Sequence, residues 1–391
     1  MRAKAPVLKR LQGLLYTGWR FCKHSPPAPP KIPASRMRGR CRLTTTQPAG
    51  RRAGTQRVAP TAADIAQDIH FDMQVFRGFQ HAALPRRSAL SIGNFDGVHR
   101  GHQAMLALLV HEARQRDLPT CALTFEPHPR DYFAALAARS ELAPPRISTL
   151  RDKLDGLQHC GIDYVVVLRF DAALASLAAE DFVARVLVDG LHARYLLVGD
   201  DFRFGARRAG DYAMLDAMGA QWGFDVARMN AYEVHARRVS SSAVRQALGA
   251  GQMDLAASLL DRPYAISGHV QHGAKLGREL GFPTLNLRFG HARPAAQGIF
   301  VARVHGLAGS ALRAVVSLGR RPSVDESGRV LLEAHLLDWS GDAYGKLVRV
   351  EMLHKLRDEA RYEGLQALTA AIAADVLAAR QWFATADADS P

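Results

Sequence analysis

Between residues 88 and 204, short apolar runs alternate with stretches in which apolar residues recur every three or four positions. The runs "ALSIG", "TCALTFEP", "DYVVVLRF" and "RYLLVGDDF" predict strands. Between them, "TLRDKLDGLQHCG" predicts a helix with Leu150, Leu154 and Leu157 on one face and Gly161 as its stop. Strands separated by helices require crossovers, and hence a parallel sheet covered on both faces. This is an α/β nucleotide-binding architecture, in which ligands collect at the carboxyl ends of the strands.

The pattern changes after about residue 254. "YAISGHVQHG", "GIFVARVHG", "ALRAVVSLG", "RVLLEAHLLDW" and "KLVRVEMLHKL" predict successive strands joined by turns, an antiparallel barrel or sandwich. A final helical stretch places Leu365, Leu368, Ile372, Val376 and Ala379 on one stripe. Two domains follow, residues 73–252 and 253–391, with residues 250–262 as the linker.

Charge alters the picture only at the N-terminus. The formal net charge is +14, but the first 63 residues hold 14 Lys and Arg and no acid. The remainder carries 37 basic against 37 acidic residues, so a basic nucleic-acid groove is not predicted there. Residues 1–72 read as a basic disordered extension, a transit peptide, or upstream sequence ahead of a true start near Met73. No stretch reaches the ~20 apolar residues that a membrane span needs, so no membrane partner is expected. Cys22, Cys41, Cys121 and Cys160 form no CxxC pair, which argues against disulfides and zinc and for a reducing cytoplasm.

Two constellations carry chemistry. In "SIGNFDGVHRGHQAMLALLV" a strand, a glycine-punctuated turn and a helix follow one another, with His99 and His102 at the helix start. A helix N-terminus attracts anions, Gly97 and Gly101 allow a phosphate close to the backbone, and the imidazoles can donate to its oxygens. The alternative is a pair of surface or capping histidines. "RVSSSAVRQAL" sets Ser240, Ser241 and Ser242 before a helix carrying Arg245, suited to a triphosphate tail or simply a serine cap with a solvated arginine. In "GDDFRFG", Asp201 and Arg203 stand at a strand end, either lining a ligand or fixing the turn as an ion pair.

The second constellation is "HGAKLGRELGFPTLN", with Gly273, Lys275, Gly277 and Gly281. It is no Walker loop, but it can cover phosphates or serve as a glycine-rich connection. In an extended segment Thr284 and Asn286 point the same way and offer oxygens to Mg²⁺. Glu333 and His335 in "LLEAH" share a strand face, where a carboxylate can take a hydroxyl proton or merely meet solvent.

Together, "GNFDGVHRGH", "TFEPHPR", "GDDFRFG", "SSSAVR", "RPYAISGHVQHGAKLGRELGFPTLN", "SLGRRPSV", "LLEAHLLDWSGDAYG" and "LRDEARY" occur in an order that closely resembles the bacterial bifunctional riboflavin kinase/FMN adenylyltransferase family, across residues 73–383. The resemblance implies a Rossmann-like nucleotidylyltransferase domain followed by a six-stranded flavokinase barrel with a C-terminal helix. It implies phosphorylation of riboflavin to FMN by ATP with Mg²⁺, then adenylyl transfer from ATP to FMN, giving FAD and pyrophosphate. By the same resemblance Thr284 and Asn286 hold metal and nucleotide, and Glu333 is the base. His99 and His102 would steady the α-phosphate, residues 240–245 would hold the pyrophosphate, and Asn94, Asp201 and Arg203 would position substrates. Riboflavin, FMN and ATP are then the expected partners, and an oligomer is compatible with the sequence. The departures, Ser242, Leu285, Ser323 and Ala343, remove no proposed chemical group.

Overall fold

The computed structural model describes residues 73–234, 237–273, 276–290, 293–320 and 330–388. The expectations for the N-terminal extension, Lys275 and Ser323 lie outside the described residues.

Six parallel strands form the first sheet. They are β1 (Gln74–Arg77), β2 (Ser88–Ile92), β3 (Thr120–Glu126), β4 (Tyr164–Arg169), β5 (Ala193–Gly199) and β6 (Asp225–Met229), in the order β1-β4-β3-β2-β5-β6. The direction of winding reverses at β2, whose neighbours are β3 and β5, and a crevice opens beyond such a strand. Alternate residues of β4 enter different cores, Val166 and Leu168 on one side and Val165 and Val167 on the other. Leu106 and Leu109 of α1 (Arg100–Gln115) and, beyond α2 (Pro129–Leu136), Leu157 of α3 (Leu150–His159) cover the second side. The π-wound run Phe182–Val188 and Leu215 of α4 (Tyr212–Trp222) cover the first.

Beyond the short ribbon β7 (Glu233–Val234) and β8 (Arg237–Arg238) come α5 (Ser241–Gly249) and α6 (Met253–Leu260). The stretch expected as a linker is therefore largely helical. Met253, Ala256, Leu259 and Leu260 of α6 are buried with Val244 and Leu248 of α5 in the core of the second sheet, and that apolar burial keeps the stretch from being an open connection.

The second sheet is antiparallel throughout: β9 (Tyr264–His269), β10 (Thr284–Arg288), β11 (Gly298–His305), β12 (Leu312–Arg320), β13 (Val330–Leu336) and β14 (Leu347–Arg357). Its order, β10-β13-β12-β11-β14-β9, curls it into a half-barrel bridged at the seam by Gln271 and Asn286. The last helix, α8 (Leu365–Ala388; α7 being the short Leu276–Glu279), packs outside the sheet. There Ala379 and Phe383 meet Ile299, Val301, Val315 and Leu337, and Asp375 forms a two-pronged ion pair with Arg357 at 2.6 and 2.8 Å.

Phe383 is fully buried and anchors that helix. Phe383→Ala should cost roughly 3–5 kcal/mol. Equilibrium urea unfolding checks this; a loss below 1 kcal/mol (about the value of a surface change) would mean the helix is held elsewhere.

Candidate functional sites

The turn after β2 is an unfavourable one for its residues. Phe95 (φ +47°), Gly97 (+87°) and Val98 (+41°) all take left-handed backbone conformations. Only glycine does so freely, and each of the other two costs about 1–3 kcal/mol that surrounding contacts must offset. Phe95 is wholly buried. A side chain at Gly97 would come within 2.8 Å of the Ile147 methyl, so this glycine is needed for packing as well as for its φ. Beneath the turn the Asp96 carboxylate accepts from the Ile147 and Ser148 amides at 3.2 Å and from Arg245 Nη2 at 2.6 Å. Ser148 Oγ in turn accepts from the Gly97 amide (3.1 Å), and Ser241 Oγ donates to the Asp96 carbonyl (3.2 Å).

His99 is the N-cap of α1, and its Nδ1 accepts the His102 amide at 3.3 Å. The proton of a neutral His99 therefore sits on Nε2, where it can be donated. The two imidazoles stack with centroids 3.7 Å apart. A Cβ at Gly101 would lie 3.2 Å from the Val239 carbonyl and 3.3 Å from the His99 ring, so glycine leaves both undisturbed. Burial pushes the His99 pKa down to about 4, although the Asp96 charge opposes it. Burial also holds His102 well below the usual range, with His99, Lys153 and Arg245 adding to the effect.

Not every expected ligand points at an open crevice. Arg245 is committed to Asp96 and to the Pro145 carbonyl (2.7 Å). Ser240 caps α5 by accepting the Ala243 amide, and Ser242 is exposed. Asn94 Oδ1 is buried and has no hydrogen-bond partner among the described residues. Asp201 and Arg203 are exposed and do not pair with each other: Arg203 meets Asp211 at 3.1 Å and Asp201 meets Arg238 at 3.5 Å.

The second constellation assembles on β10 and β13. Asn286 lies opposite Glu333 and Thr284 opposite His335, so all four share one face, and Ser317 of β12 continues it beside Glu333. Leu332, Ala334 and Leu336 are buried on the opposite, core side. Gly273 lies so close to Asn286 that a Cβ would sit 2.4 Å from its side chain. At Gly277 a Cβ would be 2.5 Å from the Phe282 carbonyl and 3.5 Å from Thr284 Oγ1, and Gly281 takes φ +85°. The glycines thus let the loop lie directly against Thr284 and Asn286. Asn286 Oδ1 is buried without a partner among the described residues, a hard oxygen available to a cation.

Comparison with known proteins agrees with both halves. The FAD synthetase family model matches residues 81–243, and the riboflavin kinase model matches residues 260–383. The bifunctional riboflavin kinase/FMN adenylyltransferase of Escherichia coli strain K12 is 44% identical over 313 residues, covering 80% of this chain and 98% of that one. The protein of the same name from Haemophilus influenzae is 40% identical over 312 residues, covering 80% and 99%. The chain belongs to the bifunctional riboflavin kinase/FMN adenylyltransferase family.

A solved structure from Streptococcus pneumoniae, titled as a macrolide-efflux protein, is 26% identical with a TM-score of 0.62, over 79% of this chain and 99% of that one. It shares the architecture; among the described residues no helix is long and apolar enough to cross a membrane.

Several residues that the sequence left unassigned stand around the first turn. Arg146 is buried, with its guanidinium 3.1 Å from Asp131, 3.7 Å from Glu126 and 3.8 Å from Asp96. Lys153, also buried, lies 3.7 Å from Glu126. Burial alone would raise the Asp96 pKa, but Arg146 and Arg245 hold it below the usual carboxylate range. At the carboxyl ends of β3 and β4, Phe125, Tyr132 and Phe133 pack edge to face around Phe170, with centroids 5.5–5.9 Å from it, and Phe133 remains half exposed.

His128 caps α2 by accepting the Arg130 amide at 3.1 Å, and burial, assisted by Arg146, pushes its pKa down to about 3. An unfolded chain binds that proton near pH 6.5. Between the two values the unfolded state holds the extra proton, so stability falls as pH drops from 6.5, by about 1.4 kcal/mol per pH unit for one such group. Urea midpoints at pH 7 and pH 5 should show the loss, and His128→Asn should reduce it by about one proton's worth. Unchanged pH dependence in the variant would show the source to be elsewhere.

Proposed function

We propose that residues 94–102 receive the α-phosphate of ATP during adenylyl transfer to FMN, and that the β10/β13 face is where riboflavin is phosphorylated. In this reading residues 73–252 carry the first reaction and residues 253–391 the second, both in the cytoplasm without a nucleic-acid or membrane partner. The observation that carries the first assignment is the pair of neutral, stacked imidazoles at the N-terminus of α1, beyond the strand where the sheet reverses. A phosphate there meets a helix dipole whose first turn holds no acid.

The chemistry needs alignment and charge stabilisation rather than a covalent intermediate. An FMN phosphate oxygen attacks the α-phosphorus, the bond to the bridging oxygen breaks, and pyrophosphate leaves. His99 Nε2–H and His102 donate to the oxygens on which charge grows. Gly97 and Gly101 admit the phosphate to the backbone, and the α5 terminus with Ser240, Ser241 and Ser242 lies beside it for the departing group. Arg245 contributes through Asp96, by fixing the turn. Asn94, with its unsatisfied Oδ1, and the more distant Asp201 and Arg203 help to place substrates. The aromatic patch around Phe133 supplies a stacking surface for the flavin ring.

On the other face Glu333 takes the proton from the ribityl 5′-hydroxyl as that oxygen attacks the γ-phosphorus and ADP leaves. The loop bearing Gly273, Lys275, Gly277 and Gly281 covers the phosphates. Thr284 and Asn286 would hold Mg²⁺, which fits the orphaned Asn286 oxygen; the ion would supply neutralisation of phosphate charge.

Purified protein given riboflavin, ATP and Mg²⁺ should yield FMN and then FAD by chromatography. His102→Ala should lower FAD formation by roughly 10²–10³-fold while FMN accumulates. Glu333→Ala should lower riboflavin phosphorylation by about 10²–10⁴-fold yet leave FAD formation from supplied FMN intact. If either folded variant lost both reactions equally, the two-site assignment would be wrong.

A further inference from the structure

The phosphate turn is tied down by a residue from the other half of the chain. Arg262 lies within the span matched by the riboflavin kinase model, two residues before β9. Its Nη2 donates to the Gly97 carbonyl at 2.8 Å, and its Nη1 donates to the carbonyls of Val98 (3.2 Å) and Leu260 (2.9 Å). Gln103 of α1 donates Nε2 to the same Val98 and Leu260 carbonyls, each at 2.9 Å. Two donors and two shared acceptors thus form a closed ring beneath the start of α1.

The acceptors lie at a strained place. Val98 is β-branched and has φ +41°, a conformation that persists only where neighbours over-determine it. Its carbonyl and that of Gly97 immediately precede the cap residue His99. Any relaxation of these two peptides would rotate the His99 ring and the first amides of α1. Two further links tie the supports of the turn to the second sheet. The Arg146 amide donates to the Arg293 carbonyl and its carbonyl accepts from the Ala295 amide, both at 2.8 Å. The Asp152 carboxylate of α3 accepts from the Ser267 amide of β9 at 3.1 Å.

We propose that Arg262 is a positioning residue for adenylyl transfer, fixing the Gly97 and Val98 peptides so that His99 and the start of α1 are aimed at the α-phosphate. The proposal rests on the placement of the α-phosphate given above. Arg262 holds two successive carbonyls at once with its planar fork, which an ammonium cannot do. It touches no residue assigned to riboflavin phosphorylation.

The test uses the full chain and the two α-phosphorothioate diastereomers of ATP. Unfolded molecules turn over neither, so the ratio of the two rates reads alignment at phosphorus and is blind to the folded fraction. Arg262→Ala should lower kcat for FAD formation roughly tenfold or more and change the diastereomer ratio about threefold or more. Riboflavin phosphorylation by the same protein should stay within about twofold, since alignment is lost only at the other site. Arg262→Lys, which reaches one carbonyl at a time, should fall between the two. A wild-type ratio in Arg262→Ala, or a parallel fall in riboflavin phosphorylation, overturns the proposal. His102→Ala is measured alongside. Full FAD formation in that variant overturns the placement of the α-phosphate and the proposal with it, whereas its loss beside wild-type behaviour of the Arg262 variants overturns the role of Arg262 alone.

Discussion

A buried carboxylate under a strained turn is the constraint on which the first site depends. Asp96 is almost fully inaccessible, yet burial does not leave it neutral, because Arg146 and Arg245 stand against it. Its oxygens hold the amides of Ile147 and Ser148, and these bring a segment some fifty residues away beneath the turn after β2. A buried ion cluster of this kind is a poor source of net stability, since desolvation cancels much of the Coulombic gain. Its effect here is geometric. The carboxylate acts together with the burial of Phe95 and the bonds from Arg262 and Gln103 to the Val98 carbonyl in holding the two left-handed non-glycine residues and the cap at His99 in place.

The two sites solve one problem by different means. Each packs backbone tightly against its neighbours by omitting side chains: Gly97 against Ile147 and Gly101 against Val239 and His99 in the first, Gly273 against Asn286 and Gly277 against Phe282 in the second. The first site then fixes its imidazoles by burial, the two rings stacked on each other and His102 meeting Phe95 edge to face. The second places its oxygens on one face of paired strands, where the alternation of the pleat puts Thr284, Asn286, Glu333 and His335 together without any strained residue among them.

The same contrast decides what is legible in the sequence. Strand faces are periodic, so the shared orientation of Thr284 with Asn286, and of Glu333 with His335, follows from their spacing alone. Parallel strands buried on both faces are equally plain as apolar runs, as in "DYVVVLRF". β6 is not, because "DVARM" lies at a sheet edge and is only partly buried. Residues 250–262 resemble a connection because α6 is short and closely follows Gly249 and Gly251; its burial is decided by the distant half-barrel. Asp96 in "FDG" carries the signal of an ordinary turn, since the partners that make it special lie far along the chain. The pairing of Arg245 is hidden for the same reason: its carboxylate partner, Asp96, lies far back along the chain.

That engagement bears on how the histidines act. Four cations stand around the first site: Arg146, Lys153 and Arg245 each face an acid at close range, while Arg262 meets backbone carbonyls. Desolvation is the largest influence in keeping both rings neutral, and the nearby cations add to it. A neutral imidazole is a weaker donor than an imidazolium, but its position is fixed in advance by the cap bond and the stacking. A protonated pair 3.7 Å apart would repel itself and lose that arrangement. In the structure, then, the cap bond and the stacking align both rings without requiring charge on either.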